Sequence, residues 1–260
     1  MGTPAAVRVW ERSLLQHRRV WRTSLLGSFL QPLLYLLGMG LGVGALVDGT
    51  TGSPELLGGV SYFAFIAPAL LAASAMLVGS QDSLWALLDG FLWGNQYRAM
   101  TATPLRPTQV AAGLSLWHAT RALLTVVGVA VVLTLFADTR TWGLLLAVPA
   151  GVLTGLAFAL PITAWTATRE GDISFPAIMR FAIIPMFLFA GVFFPIEQLP
   201  SALQPVAMLT PLWHGVELCR ASVLGTLGAA DAAVHVGALL VYVVGGWLLC
   251  RWAFTRRLAS

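Results

Sequence analysis

Three side chains able to take part in acid–base chemistry, Glu197, His214 and Glu217, lie in one stretch, FFPIEQLPSALQPVAMLTPLWHGVELCR, which ends at Arg220. Carboxylates and imidazoles that meet at one point are the usual groups of general acid–base catalysis. Because the stretch is otherwise apolar, one interpretation is an enzyme that modifies lipids at a membrane surface. That interpretation requires the fold to bring the three side chains together.

The basic residues are fifteen arginines, and the sequence contains no lysine. A nucleotide-binding P-loop needs the lysine of G-x-x-x-x-G-K-[ST] on the phosphates. The chain therefore cannot hold that kind of ATP site alone, and ATP energy must come from a partner. The two cysteines, Cys219 and Cys250, are expected to be packing residues. We assign no catalytic residue, metal site or bound cofactor to the chain itself.

The composition indicates that the chain lies in a membrane. Hydrophobic residues make up 58% of it and charged residues 10%, whereas soluble domains carry roughly 25% charged residues. A helix crosses the roughly 30 Å hydrocarbon layer in about 20 residues. We predict one all-α polytopic domain over residues 1–260, whose six transmembrane helices are estimated at 23–46, 59–81, 109–136, 142–167, 174–194 and 232–253.

The arginines predict the orientation, since positively charged short loops stay in the cytoplasm. With six spans and both termini cytoplasmic, only Arg140 and Arg220 of the fifteen arginines fall on the outer side. The N- and C-termini are therefore expected to be cytoplasmic.

The estimated spans contain no Asp or Glu, so a proton relay within the membrane lacks the necessary groups. A secondary transporter or channel, which needs such carboxylates or a selectivity filter, is kept as an alternative. Arg121 lies within the third span and has two interpretations. It is either a cation that extends to the membrane surface or a bundle-facing cation at the inner mouth of a substrate path.

The first 22 residues predict an amphipathic helix at the membrane interface. Its apolar face holds Val7, Trp10, Leu14 and Trp21, and its basic residues Arg8, Arg12 and Arg19 group to one side. Such a helix anchors to anionic lipid head groups. Whether it also offers a surface to a cytoplasmic subunit is left open.

The longest cytoplasmic connection, residues 82–108, predicts a short helix parallel to the membrane. Pro104 stops a helix before the third span, and Pro107 fits the first turn of that span because its missing N–H costs nothing there. A short helix of this kind can dock a partner or simply connect two spans. In the first span, Gly38/Gly42 and Gly40/Gly44 have the spacing that allows close helix packing in lipid.

The long segment 195–231, between the fifth and sixth spans, predicts a re-entrant hairpin at the outer surface. Its prolines and charges exclude an ordinary spanning helix, so we expect two short helices, about 199–208 and 212–224, that enter the outer leaflet and turn back. The hairpin is either a structural lid or a gate for amphiphiles. Its candidate gate residues are Pro195, Glu197, Gln198, Pro200, Pro211, His214, Glu217 and Arg220.

Two stretches, TATPLRPTQVAAGLSLWHATRALL from Thr101 and GVFFPIEQLPSALQPVAMLTPLWHGVELCR from Gly191, resemble the type-2 ABC exporter permeases. Within that family the sequence is most similar to the lipo-oligosaccharide (nodulation-factor) and daunorubicin-type drug exporter branches. The resemblance covers most of the chain, including the amphipathic start and the six spans.

The resemblance implies a bacterial plasma-membrane exporter of lipid-linked glycans, glycolipids or drugs. Two permease copies, identical or different, would pair and dock on two cytoplasmic ATPase subunits that hold ATP and Mg²⁺. Membrane lipids are expected partners and nucleic acid is not. Residues Val7 to Trp21 match the family's connecting helix, and its coupling helix matches Asn95, Gln96, Tyr97, Arg98, Ala99, Met100 and Thr101. The family's coupling region often carries acidic residues, whereas here only Arg98 is charged, so docking is expected to be less electrostatic.

Overall fold

The computed structural model describes residues 4–49 and 57–258, and within them it contains helices and no strand. The all-helical prediction is confirmed for this part of the chain. The loop predicted between the first two spans lies largely at residues 50–56, outside the described ranges. The helices are α1 (Ala5–Tyr35, continued by π-helical Leu36–Val43 and by Gly44–Asp48), α2 (Tyr62–Gln81, continued by π-helical Asp82–Ala86 and by Leu87–Leu92), α3 (Gln96–Thr101), α4 (Pro107–Leu133), α5 (Leu144–Thr166), α6 (Phe175–Ile178, continued by π-helical Met179–Ile183 and by Ile184–Phe189), α7 (Gln204–Met208), α8 (Pro211–Leu224) and α9 (Ala229–Leu258).

Five of the described helical segments are long and apolar enough to cross a membrane. They are Leu30–Asp48 of α1, Tyr62–Leu92, Pro107–Leu133, Leu144–Thr166 and Ala229–Leu258. The chain is therefore a polytopic membrane protein. We call the end of the bundle that holds Ala5, α3 and Leu258 the inner end, and the end that holds α7 and α8 the outer end.

The predicted fifth span, 174–194, is shorter in the structure. Its apolar helix α6 covers Phe175–Phe189, a rise of about 22 Å at 1.5 Å per residue, which is less than the hydrocarbon thickness. Ala190 leaves the helical region and Gly191 has a φ of +81°, a conformation that favours glycine. The helix therefore ends before the predicted boundary, and the count of six full spans is not reproduced.

The predicted separation between an interfacial helix (1–22) and a first span (23–46) is also absent from the backbone. The chain is helical without interruption from Ala5 to Asp48. Pro32 lies inside this helix, and a π-helical segment follows it from Leu36 to Val43. One long helix thus forms both the amphipathic start and the first crossing.

Helix α5 lies at the centre of the bundle, where it contacts α2, α4, α8 and α9. Small residues allow this packing, since helices associate closely in lipid when glycine or alanine lines the contact. A Cβ on Gly79 of α2 would lie 2.9 Å from the carbonyl oxygen of Gly155, and a Cβ on Gly215 of α8 would overlap Thr154. Helix α2 is buried almost throughout, as expected for a helix that is apolar on all sides.

The glycines of the first crossing divide between two faces. Gly40 and Gly44 pack against Phe63 and Tyr62 of α2, which confirms close packing for that pair. A Cβ on Gly38 would meet nothing within 4 Å. None of the described residues therefore covers the face that carries Gly38.

At the outer end, the two expected short helices form with a different start. The first was predicted from Leu199, but α7 begins at Gln204 after a turn, and a short 3-10 segment at Ile196–Gln198 precedes it. Leu199 is extended and Pro200 follows it, so the residue before proline avoids the helical region. Helix α8 covers Pro211–Leu224, close to the expected 212–224, and Pro211 lies in its first turn.

Candidate functional site

Helix α3, the candidate coupling helix, is held by two buried side chains. Tyr97 packs against the rings of Phe91 and Phe254, with ring centroids 4.7 and 5.9 Å apart. Its burial raises the pKa of the phenol above the ordinary value, because the charged form is disfavoured away from water. Met100 is buried on the same side of the helix. The two residues fix α3 to the ends of α2 and α9.

The remaining predicted docking residues of α3 differ in their exposure to solvent. Asn95, Arg98 and Ala99 are exposed, whereas Gln96 and Thr101 are half-buried. The Thr101 hydroxyl donates to the Arg98 carbonyl at 3.0 Å. Asn95, Arg98 and Ala99 are therefore open to another protein, whereas Tyr97 and Met100 are not.

The start of α1 packs on α4 through a residue that the helical wheel did not single out. Val9 is buried, and a Cβ on Gly113 of α4 would lie 2.5 Å from the Val9 Cβ. Trp10 Nε1 donates to Thr120 Oγ1 at 2.8 Å. Val7 and Leu14 are half-buried, whereas Arg8, Arg12, Arg19 and Trp21 are exposed. The apolar face therefore serves a helix contact in addition to any lipid contact.

Helices α1 and α3 are joined directly. Arg12 Nη1 donates to the Gln96 side-chain oxygen at 2.6 Å. The opposite edge of the inner end is held by Arg257, which donates to the carbonyls of Ala167 and Arg169 at 2.8 and 2.7 Å and stacks over the Phe91 ring at 4.0 Å. The Arg12 bond thus connects α3 with α1, and Arg257 connects the end of α9 with the end of α2 and with the segment after α5.

A polar cavity of about 280 Å³ lies between α1, α2, α3 and α4 at the inner end. We call it the inner cavity. The inner cavity is lined by Arg12, Ser13, Gln16, His17, Asp82, Ala86, Leu87, Asp89, Gln96, Tyr97, Leu114, Trp117, His118 and Arg121. It therefore lies beside the candidate coupling helix and includes the predicted inner-mouth residue.

Arg121 faces the bundle, and its partner is an acid that the sequence placed outside the spans. Its Nε donates to Asp82 Oδ2 at 2.7 Å, and the two side chains are 10% and 25% exposed. The sequence-based estimate ended the second span at residue 81, one position before Asp82. The helix continues to Leu92, so the carboxylate lies within it. An arginine and an acid near the inner ends of consecutive spans were the available signal.

Two histidines complete the inner cavity. His118 is buried, and its Nε2 lies 3.0 Å from Thr163 Oγ1. Its Nδ1 has no hydrogen-bond partner among the described residues. His17 packs edge-on against the Trp117 ring at 5.2 Å. Burial lowers the pKa of His17, and the Arg121 charge lowers it further against an opposing effect of Asp82.

A second, apolar cavity of about 840 Å³ runs along α1, α2 and α6. We call it the membrane cavity. Along α2 its lining extends from Tyr62 to Gln81, a rise of about 28 Å, which is close to the hydrocarbon thickness. Aromatic rings such as Tyr35, Phe187 and Phe193 line it, and two of the candidate gate residues, Pro195 and Gln198, lie at its outer end.

The outer end is held together by Arg220. This buried side chain donates from Nη1 to Glu217 Oε1 at 2.6 Å, from Nη2 to the Gly191 carbonyl at 2.5 Å and from Nε to the Phe65 carbonyl at 3.2 Å. Its guanidinium carbon lies 3.8 Å from the centroid of the Phe65 ring. One arginine on α8 thus binds the start of α2 and the turn after α6.

The remaining candidate gate residues do not converge on one point. His214 Nδ1 lies 2.9 Å from Nδ1 of His235 on α9. Glu197 and Pro200 are exposed, and Pro211 is buried at the start of α8. Because Glu217 is paired with Arg220 and His214 with His235, the two strongest candidates for acid–base chemistry have structural partners. The lipid-modifying interpretation therefore gains no support from this arrangement.

Both cysteines are free and buried, which confirms the prediction that they are packing residues. The Cys250 thiol donates to the Leu160 carbonyl at 3.0 Å. Within residues 4–49 and 57–258, no group of three or more His, Cys, Asp and Glu side chains is placed to hold a metal ion.

Comparison with known proteins gives full-length similarities. A family model described as ABC-2 type transporter matches residues 5–224. Nodulation protein J of Rhizobium leguminosarum bv. trifolii is 34% identical over 97% of this chain and 93% of the relative. Nodulation protein J of Rhizobium meliloti (strain 1021) is 32% identical over the same shares. Inner membrane transport permease YadH of Escherichia coli (strain K12) is 22% identical over 96% of this chain and 93% of the relative.

Proposed function

This chain belongs to the ABC-2 type transporter family, and we propose that it exports an amphiphilic molecule using ATP hydrolysed on a separate subunit. The candidate substrates are a lipid-linked glycan, a glycolipid or an amphiphilic drug. The resemblance to the lipo-oligosaccharide exporter branch favours a substrate that combines an apolar chain with sugars.

The membrane cavity is the observation that carries this proposal. Its length along α2 matches the membrane thickness, and its lining is mainly apolar and aromatic. Polar side chains lie toward its two ends, with Gln81 at the inner end and Gln198 at the outer end. Such a surface suits an acyl chain or a flat apolar ring system, whereas a channel for ions needs polar or charged groups along its wall.

The outer helices α7 and α8 provide the gate in this proposal. They enter the outer leaflet as a re-entrant hairpin, and Pro195 and Gln198 close the outer end of the membrane cavity. Arg220 holds the closed arrangement, because it connects α8 with Phe65 at the start of α2 and with Gly191 after α6. Release of these bonds lets the outer end of α6 move away from α2.

The exposed face of α3 is the docking surface for the ATPase. Asn95, Arg98 and Ala99 form this face. The ATPase cycle moves α3, and the motion reaches α1 through the bond between Arg12 and Gln96. It reaches α2 and α9 through the buried ring of Tyr97. ATP and Mg²⁺ bind the partner subunit, since this chain lacks the P-loop lysine.

The working exporter contains two permease chains and two ATPase subunits. The uncovered face of α1 around Gly38 offers a surface for the second permease, which is either an identical copy or a related chain. Both termini and α3 lie in the cytoplasm of a bacterial cell, in agreement with the arginine distribution.

The test is co-expression with an ABC ATPase subunit that carries a complete P-loop, followed by purification and reconstitution in liposomes. We expect a stable complex that moves a fluorescent glycolipid between leaflets only when ATP is present. A P-loop Lys→Ala variant of the ATPase is the matched control and should assemble without transport. Transport by the permease alone, or transport that depends on an ion gradient and not on ATP, would overturn the proposal.

A further inference from the structure

We propose that the inner cavity binds a phosphate-bearing ligand, the acidic headgroup of the exported amphiphile, and that Asp82 occupies the position of this anion in the empty protein. This inference rests on the proposed function, because it assigns the headgroup of the same substrate. It adds a substrate class and a binding site at the inner end.

The buried wall of the inner cavity includes an arginine and a histidine. Arg121 has a side chain only 10% exposed, and His118 is buried, with its Nδ1 unpartnered among the described residues. The Arg121 guanidinium matches a phosphate, to which arginine donates two parallel hydrogen bonds.

The depth of the charged groups favours an anion over a cation. The carboxylates of the cavity lie nearer its opening, with Asp82 half-exposed and Asp89 exposed. Asp82 is already paired with Arg121. A cationic ligand would have to separate that pair and would then meet Arg121 at the end of the cavity. An anionic ligand takes the place of the Asp82 carboxylate, so Arg121 keeps an acidic partner throughout.

The rim adds a second cation. Arg12 is exposed at the opening, and it donates to the uncharged amide of Gln96 at 2.6 Å. A phosphate that enters the cavity therefore passes a guanidinium bound to a neutral group before it reaches Arg121. Because Gln96 belongs to α3, a ligand that attracts Arg12 also alters the connection between α1 and α3.

The linings of the two cavities include neighbouring residues of α2. Gln81 lines the membrane cavity and Asp82 lines the inner cavity. An amphiphile can therefore place its headgroup against Asp82 and Arg121 at the point where an apolar path begins. The volume of about 280 Å³ accommodates a phosphate together with part of an attached group.

Binding is measured on the complex of permease and ATPase in lipid nanodiscs without nucleotide. The probes are dodecyl phosphate, the uncharged dodecyl maltoside and inorganic phosphate, with empty nanodiscs as the partition control. The fluorescence of Trp117, which lines the cavity, reports occupancy, and Trp117→Phe shows how much of the signal arises there. We expect dodecyl phosphate to bind at least about tenfold more tightly than dodecyl maltoside.

The inorganic phosphate arm identifies the source of the anion. Weak or absent binding of inorganic phosphate beside tight binding of dodecyl phosphate supports an amphiphile headgroup. Equal affinity for the two would overturn the headgroup assignment, because it would indicate a site for free phosphate.

Two substitutions give opposite results if Asp82 competes with the ligand. Asp82→Asn removes the competing charge and is expected to tighten dodecyl phosphate binding by about 3- to 10-fold. Arg121→Gln removes the cation and should weaken it by at least about tenfold. A pair that only stabilises the fold would show no such opposition, and unchanged affinity in Asp82→Asn would overturn the proposal. Arg121→Lys keeps the charge but lacks the planar guanidinium, so it should bind dodecyl phosphate with intermediate affinity. This variant replaces Arg121→Gln in the test if Arg121→Gln does not fold.

Arg140→Gln is the matched control, since Arg140 is exposed and does not line the inner cavity. It should leave dodecyl phosphate binding unchanged. The outcomes also separate this inference from the proposed function. If the complex exports a glycolipid with ATP but shows no preference for dodecyl phosphate, the inference fails and the function stands. If dodecyl phosphate binds as expected but no ATP-dependent transport occurs, the proposed function fails.

Discussion

Two buried arginines show how one residue type serves different purposes in the same bundle. Arg220 binds a carboxylate, two backbone carbonyls and an aromatic ring, so it connects several elements at once. Arg121 has Asp82 as its charged partner, and that pair lines a polar cavity. The planar guanidinium suits both tasks because it offers five donors in a fixed arrangement. The difference lies in what surrounds it.

Substitution of Arg220 tests its role as a connection. Arg220→Ala leaves Glu217 and two carbonyls without their donor, and we expect a loss of about 2–4 kcal/mol in the free energy of unfolding. Arg220→Lys keeps the charge but cannot reach all three acceptors, so it should recover only part of this loss. Thermal denaturation of the purified complex measures both. An Arg220→Ala protein as stable as the wild type would contradict the assignment.

His17 gives the inner cavity a predictable pH dependence. Its pKa is lowered from the model-peptide value of 6.5 by burial and by Arg121, against an opposing effect of Asp82. A bound anion favours the protonated imidazole and raises this pKa, so binding takes up a proton. Affinity for octyl sulfate, whose charge is constant, should therefore increase as the pH falls from about 7.5 to about 5.5. His17→Gln should flatten this dependence, and an unchanged slope would exclude His17 as the titrating group.

At the scale of elements, α3 depends on a close approach to the end of α2. A Cβ on Gly90 would lie 2.5 Å from Tyr97 Cε2, so only glycine allows the buried ring to occupy its position. The ring in turn fixes the direction of the exposed face that holds Arg98. A helix of six residues has few contacts of its own, so the packing of the Tyr97 ring on Gly90 contributes much to its orientation.

Gly90→Ala tests whether the packing of Tyr97 on Gly90 positions α3. The added methyl group displaces the Tyr97 ring, at a cost of about 1–3 kcal/mol for overpacking, and shifts the docking face. We expect ATP-dependent transport to fall at least about fivefold, while the isolated ATPase keeps its own hydrolysis rate. Gly94→Ala is the control, because its Cβ would meet nothing closer than 3.4 Å. Equal transport by the two variants would contradict this account.

The sequence predicted the type of the elements better than their boundaries. Helices, the short α3 and the proline at the start of α4 followed from local rules of apolar length and capping. The early end of α6 did not, because it depends on the positive φ of Gly191 and on a bond from Arg220, which is distant in sequence. The continuity of α1 through residue 22 likewise depends on packing against α4, which a helical wheel does not include.

The sequence likewise predicted only part of the candidate site. Arg121 was identified because a cation in a span is unusual. Asp82 was missed because the estimated span ended at residue 81, one position before it, whereas the helix continues to Leu92. The buried direction of Tyr97 and Met100 was not predictable from a six-residue segment, since it is set by three other helices.

At the scale of the whole molecule, the arginine distribution predicts which end faces the cytoplasm. Thr103→Cys is exposed at the inner end and Arg140→Cys at the outer end, whereas the natural cysteines are buried. A membrane-impermeant maleimide added to intact cells should label Arg140→Cys and leave Thr103→Cys unlabelled. Permeabilised cells should show labelling of both, and the unsubstituted protein provides the background. The reverse pattern on intact cells would contradict the orientation.

The unbroken helix from Ala5 to Asp48 gives the molecule a lever arm of about 66 Å. One half of this rod borders the inner cavity and the other half borders the membrane cavity. A tilt of about 5° about one end displaces the other by about 6 Å, roughly the width of an extended hydrocarbon chain, on the helix geometry used above. Small rotations at the inner end would thereby become larger displacements at the outer end along one continuous helix.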